Sequence, residues 1–186
     1  MDASAIVDAL KSLVPGARVE ARPSLDQPVM LVAAADLVPV CTALRDDPAL
    51  RFTALVEIVG VDYLPRSPRF EVNYSLVATT GREQPARLRV KVQVDGDTPN
   101  VPSVTGVWPS AGFLEREVWD LVGVVFDGHP DLRRLLTPDD WEGHPLRKDY
   151  PVQVNVPVKL HEPLQVTEEQ FRANLERDRR ARGDQA

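Results

Sequence analysis

The spacing of proline limits where this chain can form helices. Nine of its 17 prolines lie between Pro99 and Pro163. After Thr137 they recur at positions 138, 145, 151, 157 and 163. Because proline lacks an amide hydrogen and clashes with the preceding helical turn, this spacing excludes any helix longer than about one turn there. The sequence therefore predicts a domain over residues 1–136, followed by an extended, proline-rich C-terminal arm and tail over residues 137–186.

Alternating side chains indicate what this arm does. Apolar residues at 152, 154, 156, 158 and 160 alternate with polar residues or proline, which is a strand-like pattern. Pro157 restricts such a strand to a sheet edge or to an extended segment. We expect the arm to bury its alternate apolar side chains on a partner. From Thr167 onward a short helical pattern ends in a mixed charge run, which predicts a frayed helix or a tail.

The first half of the chain has the patterns of an α+β domain. Three strands are predicted at Phe52–Tyr63, Phe70–Thr79 and Leu88–Val94, and short links between them favour antiparallel pairing. Helices are predicted near residues 6–14 and over residues 36–44, with Asp36 as the N-cap of the second. We therefore predict a mostly antiparallel sheet with helices on one face.

The strongest helical pattern covers Ser110–Val124. Its apolar stripe is formed by Leu114, Val118, Leu121, Val122 and Val125. Glu115 and Glu117 fall on the two flanks of that stripe, while Arg116 and Asp120 point away from it together. Flanking carboxylates are either solvated or paired with partners when the apolar face docks, and the spacing alone leaves both interpretations open.

Composition excludes several classes of function. A formal net charge of −6 argues against nucleic acid, whose binding requires a basic face. The single cysteine, Cys41, can form no internal disulfide and cannot ligate an iron–sulfur cluster alone. Phosphate-binding, dinucleotide-binding and nucleophile-elbow motifs are absent from the sequence. The longest apolar run, Val29–Ala35, is far shorter than a membrane span, so we expect membrane association only through a partner.

A metal-dependent enzyme is an alternative that the histidines raise. Asp127, His129 and His144 could be drawn together as a metal site. Proline follows both histidines, however, and a His-Pro turn more commonly fixes the backbone or donates a hydrogen bond. A small metal-dependent enzyme built on these residues therefore stays an open, weaker hypothesis.

Residues 127–150 have the composition of a protein interface. The segment combines Trp141 and Tyr150 with a set of basic side chains, namely Arg133, Arg134, Arg147 and Lys148. Aromatic residues and arginine dominate the binding energy of interfaces because they bury large area and still satisfy polar groups. An acidic chain with such a segment and no catalytic motif is typical of an assembly component.

Two stretches of this region resemble a known family. Glu-Arg-Glu-Val-Trp-Asp-Leu-Val-Gly-Val-Val-Phe-Asp-Gly-His-Pro-Asp-Leu-Arg-Arg-Leu-Leu (115–136) and Trp-Glu-Gly-His-Pro-Leu-Arg-Lys-Asp-Tyr-Pro (141–151) closely resemble the signature region of the C subunit of NADH–quinone oxidoreductase, respiratory complex I. The chain looks like the free-standing form of that subunit. The signature positions expected at subunit interfaces are Glu115, Glu117, Asp120, His129, Arg133, Arg134, Trp141, His144, Arg147, Lys148, Asp149 and Tyr150.

The resemblance implies a structural role without chemistry on this chain. The C subunit supports electron transfer from NADH to quinone, coupled to proton translocation, while FMN, iron–sulfur clusters and quinone are bound by partner subunits. It packs on the D and B subunits in the hydrophilic arm, on the cytoplasmic side of the inner membrane, as a peripheral protein. An equivalent subunit of a ferredoxin- or deazaflavin-linked dehydrogenase, or of a membrane-bound hydrogenase, is the related alternative.

Overall fold

The computed structural model describes residues 2–79, 85–151 and 167–183, with the side chains of the last stretch described up to residue 177. The chain divides into two compact units, Met1–Pro151 and Val152–Ala186. The predicted arm residues 152–166 lie outside the described residues. Within the second unit the structure describes one helix, α4 (Glu168–Gly183), whose described side chains are exposed.

A five-stranded sheet organises the first unit. Its strands, in chain order, are β1 (Val19–Arg22), β2 (Val29–Val32), β3 (Ala54–Asp62), β4 (Phe70–Ala78) and β5 (Ala86–Val94). Their order across the sheet is β1-β2-β5-β4-β3. The pairs β1–β2, β3–β4 and β4–β5 are antiparallel, whereas β2–β5 is parallel. The prediction of a mostly antiparallel sheet is thus refined to a mixed sheet.

Three α-helices lie among the described residues of the unit: α1 (Ala3–Leu13), α2 (Leu37–Asp46) and α3 (Ala111–Val122). A 3-10 turn at Ala34–Asp36 precedes α2, and Asp36 makes no side-chain cap to it. Asp36 thus occupies the predicted N-cap position, but its side chain does not cap the helix. The Asp36 carboxylate instead accepts hydrogen bonds from the backbone N–H and the Nε of Arg18.

The hydrophobic core lies on one face of the sheet. Phe70, Val72, Tyr74 and Leu76 alternate along β4 into this core. The intervening positions carry polar side chains, as in the cross-strand pair of Glu71 with Gln93. This alternation follows from the two-residue period of a strand. The α+β class predicted from the sequence is confirmed.

Helix α3 packs close to β3. A methyl group added at Gly60 would lie 2.7 Å from Val118 Cγ1, so only glycine allows this approach. The helix ends at Val122, and Gly123 follows with a positive φ of 81°. Such a left-handed residue terminates a helix, which is why the predicted extension to Val124 does not form.

After this helix the chain enters a second, two-stranded sheet. β6 (Asn100–Pro102) pairs in parallel with β7 (Val125–Asp127). Val125, predicted to extend the apolar stripe of the helix, belongs to β7 instead. Residues 137–151, which we assigned to the arm, fall within the first compact unit.

Candidate functional site: the segments held by helix α3

The signature segments surround helix α3, and Glu115 fixes the approach to this helix. Its side chain is fully buried. Oε1 accepts the backbone N–H of Val104 at 2.7 Å, and Oε2 accepts the hydroxyl of Ser103 at 2.7 Å. Burial raises the pKa of Glu115, although these two hydrogen bonds oppose the rise. Glu115 therefore joins the β6–α3 connection to the first turns of the helix.

Asp120, further along the same helix, holds a second segment. Its Oδ2 accepts three successive backbone N–H groups, from Leu135 (3.0 Å), Leu136 (2.7 Å) and Thr137 (2.9 Å). Oδ1 accepts Arg134 Nη1 at 2.9 Å and the Thr137 hydroxyl. Burial acts to raise the pKa of Asp120, but the hydrogen bonds from residues 135–137 outweigh it and hold that pKa well below its usual range.

Arg116 and Asp120 were expected to point away from the packed face, and both are buried. The reason is that residues 131–137 cover this side of the helix. Arg116 donates to the carbonyls of Arg133 (3.1 Å) and Arg134 (3.0 Å). Arg134 in turn donates from Nη2 to the Trp141 carbonyl at 2.7 Å. Together these side chains fix the path from residue 133 to residue 141.

The C-terminus of helix α3 is capped by the second signature segment. The last carbonyls of a helix have no partner within it and must find donors elsewhere. Here residues 144–147 supply a donor to each of four successive carbonyls. The bonds are His144 Nδ1 to Asp120 O (3.0 Å), Leu146 N to Leu121 O (2.9 Å), Arg147 Nε to Val122 O (2.7 Å) and Arg147 Nη2 to Gly123 O (3.1 Å).

This cap fixes the orientation of His144 and Arg147. Since a carbonyl only accepts, the His144 Nδ1 must carry the proton. The Arg147 guanidinium also lies over the ring of Phe70, 5.2 Å from its centroid. Arg147 was expected at a subunit interface. Its guanidinium is engaged here with backbone carbonyls and an aromatic ring of the same chain.

Asp62, at the end of β3, binds the second signature segment at Lys148. The sequence did not indicate this role. Asp62 accepts Nε and Nη2 of Arg69 at 3.0 and 2.7 Å, and the backbone N–H of Lys148 at 2.9 Å. The hydrogen bonds from Arg69 hold the pKa of Asp62 well below its usual range. Arg69 also pairs with Asp149 at 2.9 Å. No periodicity or motif signals a contact between residues this distant in sequence.

The histidines do not form the metal site that the sequence left open. His129 Nε2 lies 2.9 Å from the Gly112 carbonyl, and its Nδ1 accepts the backbone N–H of Asp131. Asp127 accepts the side-chain amide of Asn100. Within residues 2–79, 85–151 and 167–183, no group of three or more His, Cys, Asp or Glu residues could hold a metal ion. The positions of these residues therefore give no support to the hypothesis of a small metal-dependent enzyme.

The remaining signature side chains lie at the surface. Leu136 is 62% exposed and Leu146 is 60% exposed, although the backbones of both leucines are firmly anchored. Trp141 is 40% exposed and stacks on Tyr150, with centroids 6.3 Å apart and planes inclined by 18°. Other exposed members of the predicted set are Glu117, Arg133, Lys148 and Asp149. We call Leu136, Trp141, Leu146 and Tyr150 the apolar surface of the signature region.

The chain is similar to subunits of a respiratory enzyme along most of its length. Residues 30–156 match the model of the family described as the 30 kDa subunit of respiratory-chain NADH dehydrogenase. The NADH-quinone oxidoreductase C subunit of Roseiflexus sp. (strain RS-1) is 45% identical over 152 residues, which are 82% of this chain and 86% of that protein. The corresponding subunit of Methylobacterium sp. (strain 4-46) is 44% identical over 173 residues, covering 89% and 79%.

A solved structure shares the fold. The trypsin-resistant fragment (1-134) of Nqo5 superposes with a TM-score of 0.55 at 36% identity, covering 71% of this chain and all of that fragment. Fold, signature segments and relatives define a component of a respiratory electron-transfer enzyme. The chain belongs to the family of the NADH dehydrogenase 30 kDa subunit, which is the C subunit of NADH-quinone oxidoreductase. In the part of the chain that the structure describes, no helix is both long and apolar enough to cross a membrane.

Proposed function

We propose that this chain is a non-catalytic structural subunit of the hydrophilic arm of NADH-quinone oxidoreductase. In this role it supports electron transfer from NADH to quinone, coupled to proton translocation. FMN, the iron–sulfur clusters and quinone are bound by partner subunits. The chain packs on the D and B subunits, on the cytoplasmic side of the inner membrane, and is held there through the complex.

This proposal rests on the contacts that the charged signature residues make. A catalytic carboxylate or histidine must reach a substrate with its polar atoms. The carboxylates of Glu115 and Asp120 are fully buried, and their oxygens accept backbone and side-chain donors of the same chain. His129 and His144 contact backbone carbonyls. These groups therefore hold backbone in place, which is what a scaffold requires.

What these contacts hold in place is the apolar surface. Leu136 lies within the backbone bound by Asp120, and Leu146 donates its N–H to the end of helix α3. Rigid backbone lowers the entropy lost when such side chains are buried by a partner. Exposed leucine and tryptophan on a rigid frame favour a permanent interface. We assign this surface to the contact with the D subunit.

The proposal is tested by complementation of a strain that lacks this subunit. Leu136→Asp and Leu146→Asp should each place an uncompensated charge in the interface and reduce assembled complex at least about tenfold. Leu25→Asp is the matched control, because Leu25 is fully exposed on another part of the surface. Complex is quantified by native electrophoresis and by NADH oxidation, and circular dichroism checks folding. Normal assembly with both aspartate variants would contradict the proposal.

The same strains distinguish the related enzymes. Quinone reduction by the assembled complex should depend on NADH. Activity with reduced ferredoxin or a deazaflavin, and none with NADH, would instead assign the subunit to one of the related dehydrogenases. Hydrogen-dependent activity would assign it to a membrane-bound hydrogenase.

A further inference from the structure

We infer that Trp141 and Tyr150 form a preformed aromatic platform that receives an arginine side chain of a neighbouring subunit. This inference rests on the proposed function, since it names the chemistry of one contact within the proposed interface. Three observations carry it: a ring pair fixed before any partner binds, acidic side chains next to Trp141 with no ion-pair partner among the described residues, and the partial exposure of Trp141.

The platform is held by backbone contacts on each side of Trp141. Its N–H donates to the Pro138 carbonyl at 3.0 Å, which closes a turn over residues 138–141. Its carbonyl accepts Arg134 Nη2 at 2.7 Å. Gly143 has a φ of 80°, and a methyl group there would lie 3.0 Å from the Tyr150 ring, so glycine lets the chain bring the two rings together. The stacked pair therefore exists in the free chain.

The charged side chains next to Trp141 in the chain are acidic. Asp139 and Asp140 occupy the tip of the turn, Glu142 follows Trp141, and all three side chains are exposed. Within residues 2–79 and 85–151, no basic group forms an ion pair with any of them, although other exposed carboxylates such as Asp46 and Asp131 do have such partners. Three exposed carboxylates next to Trp141 in the chain attract a cation and repel an anionic surface.

Arginine fits this combination better than lysine or an apolar side chain. A guanidinium stacks flat on an aromatic ring and presents its edge to carboxylates in the same plane. Trp141, which is 40% exposed, offers the aromatic ring, while the carboxylates next to it in the chain offer the acceptors. Aromatic–cation contacts of this kind become stronger when the interface excludes water. An apolar partner would leave the three carboxylates beside a dry interface without compensation.

The test uses the full-length chain, tagged and expressed in place of the untagged subunit. Complex retained on the tag is measured over a series of potassium chloride concentrations. Trp141→Phe keeps an aromatic face and should retain at least about half of the complex, while Trp141→Leu keeps apolar area without that face and should lose about fivefold. If Phe and Leu behave alike at this position, the platform does not bind a cation and the inference is overturned.

A charge test is independent of the aromatic one. The combined variant Asp139→Asn, Asp140→Asn, Glu142→Gln should weaken retention about fivefold at low salt and flatten its dependence on salt. The matched control removes three exposed carboxylates elsewhere, by Asp8→Asn, Glu20→Gln and Glu57→Gln, and should behave as the unmodified chain. Equal effects of the two triple variants would contradict the inference. Failure of the unmodified chain to retain any complex would instead contradict the proposed function.

Discussion

Asp120 shows how one buried carboxylate can organise a surface that it does not reach. Its oxygens accept three consecutive backbone N–H groups and two side-chain donors. A charged acceptor forms stronger hydrogen bonds than a neutral one. Burying it is tolerated only because all these donors are present, since an unpaired buried charge costs several kcal/mol.

Replacing this carboxylate should therefore destabilise the unit strongly. Asp120→Asn removes the charge and turns an amide NH2 toward donors, and we expect the free energy of unfolding to fall by about 3 kcal/mol. Glu117→Gln, on the exposed side of the same helix, should change it by less than about 0.5 kcal/mol. Urea denaturation of the two variants measures the difference, and equal midpoints would show that the Asp120 charge does not stabilise the unit.

At the scale of elements, helix α3 and the segment 144–147 form one unit. Four successive carbonyls at the end of the helix accept hydrogen bonds from residues that lie far along the chain. Gly123 makes this possible in two ways. Its positive φ turns the chain out of the helix, and its missing side chain leaves room for His144 and Arg147.

Substitution at Gly123 should separate the helix from its cap. In Gly123→Ala the new methyl group would lie 2.4 Å from His144 Cδ2 and 2.5 Å from Arg147 Nη2. We expect a loss of about 3 kcal/mol in the free energy of unfolding, together with faster amide exchange at Leu146. Gly128→Ala is the control for backbone strain alone, because Gly128 has a similar φ of 82° with no neighbour within 4 Å. That control should lose only about 1 kcal/mol.

The sequence predicted the elements better than their contacts. Helices and strands follow from local periodicity, so the patterns around Ile6, Tyr74 and Val90 located α1, β4 and β5. The predicted end of α3 was wrong because Gly123 ends the helix through its positive φ. The spacing of apolar residues gives no information about that backbone conformation. Asp62 was missed because its partner Lys148 lies 86 positions away. Such a contact is set by tertiary packing and leaves no local signal.

For the whole molecule, pH should act on stability in two opposite directions. The pKa values of Asp62 and Asp120 are depressed in the folded state, so the unfolded chain binds more protons and acid weakens folding below about pH 4. Burial raises the pKa of Glu115 in the folded state, so the folded chain binds more protons there. Its contribution to stability is therefore present at low pH and lost as pH rises through the raised pKa.

The effect of Glu115 on the pH dependence of stability can be measured separately from that of Asp62 and Asp120. Glu115→Gln keeps an acceptor for Val104 or Ser103 but removes the titration. Its urea midpoint should lose the decline that the unmodified chain shows as pH rises above about 4.5, while the acid decline below about pH 4 remains. The experiment compares the two chains between about pH 3 and pH 7. Identical slopes above about pH 4.5 would show that Glu115 has an ordinary pKa.

The cap on helix α3 also has a consequence for biosynthesis. When a nascent chain has been translated only as far as Gly123, four successive carbonyls at the end of the helix lack their hydrogen-bond donors. Those donors arrive when residues 144–147 have left the ribosome. The exposed leucines at 136 and 146 thus acquire their fixed positions late in synthesis. Chains released before that point would carry apolar side chains on loose backbone, which is what quality-control proteases recognise.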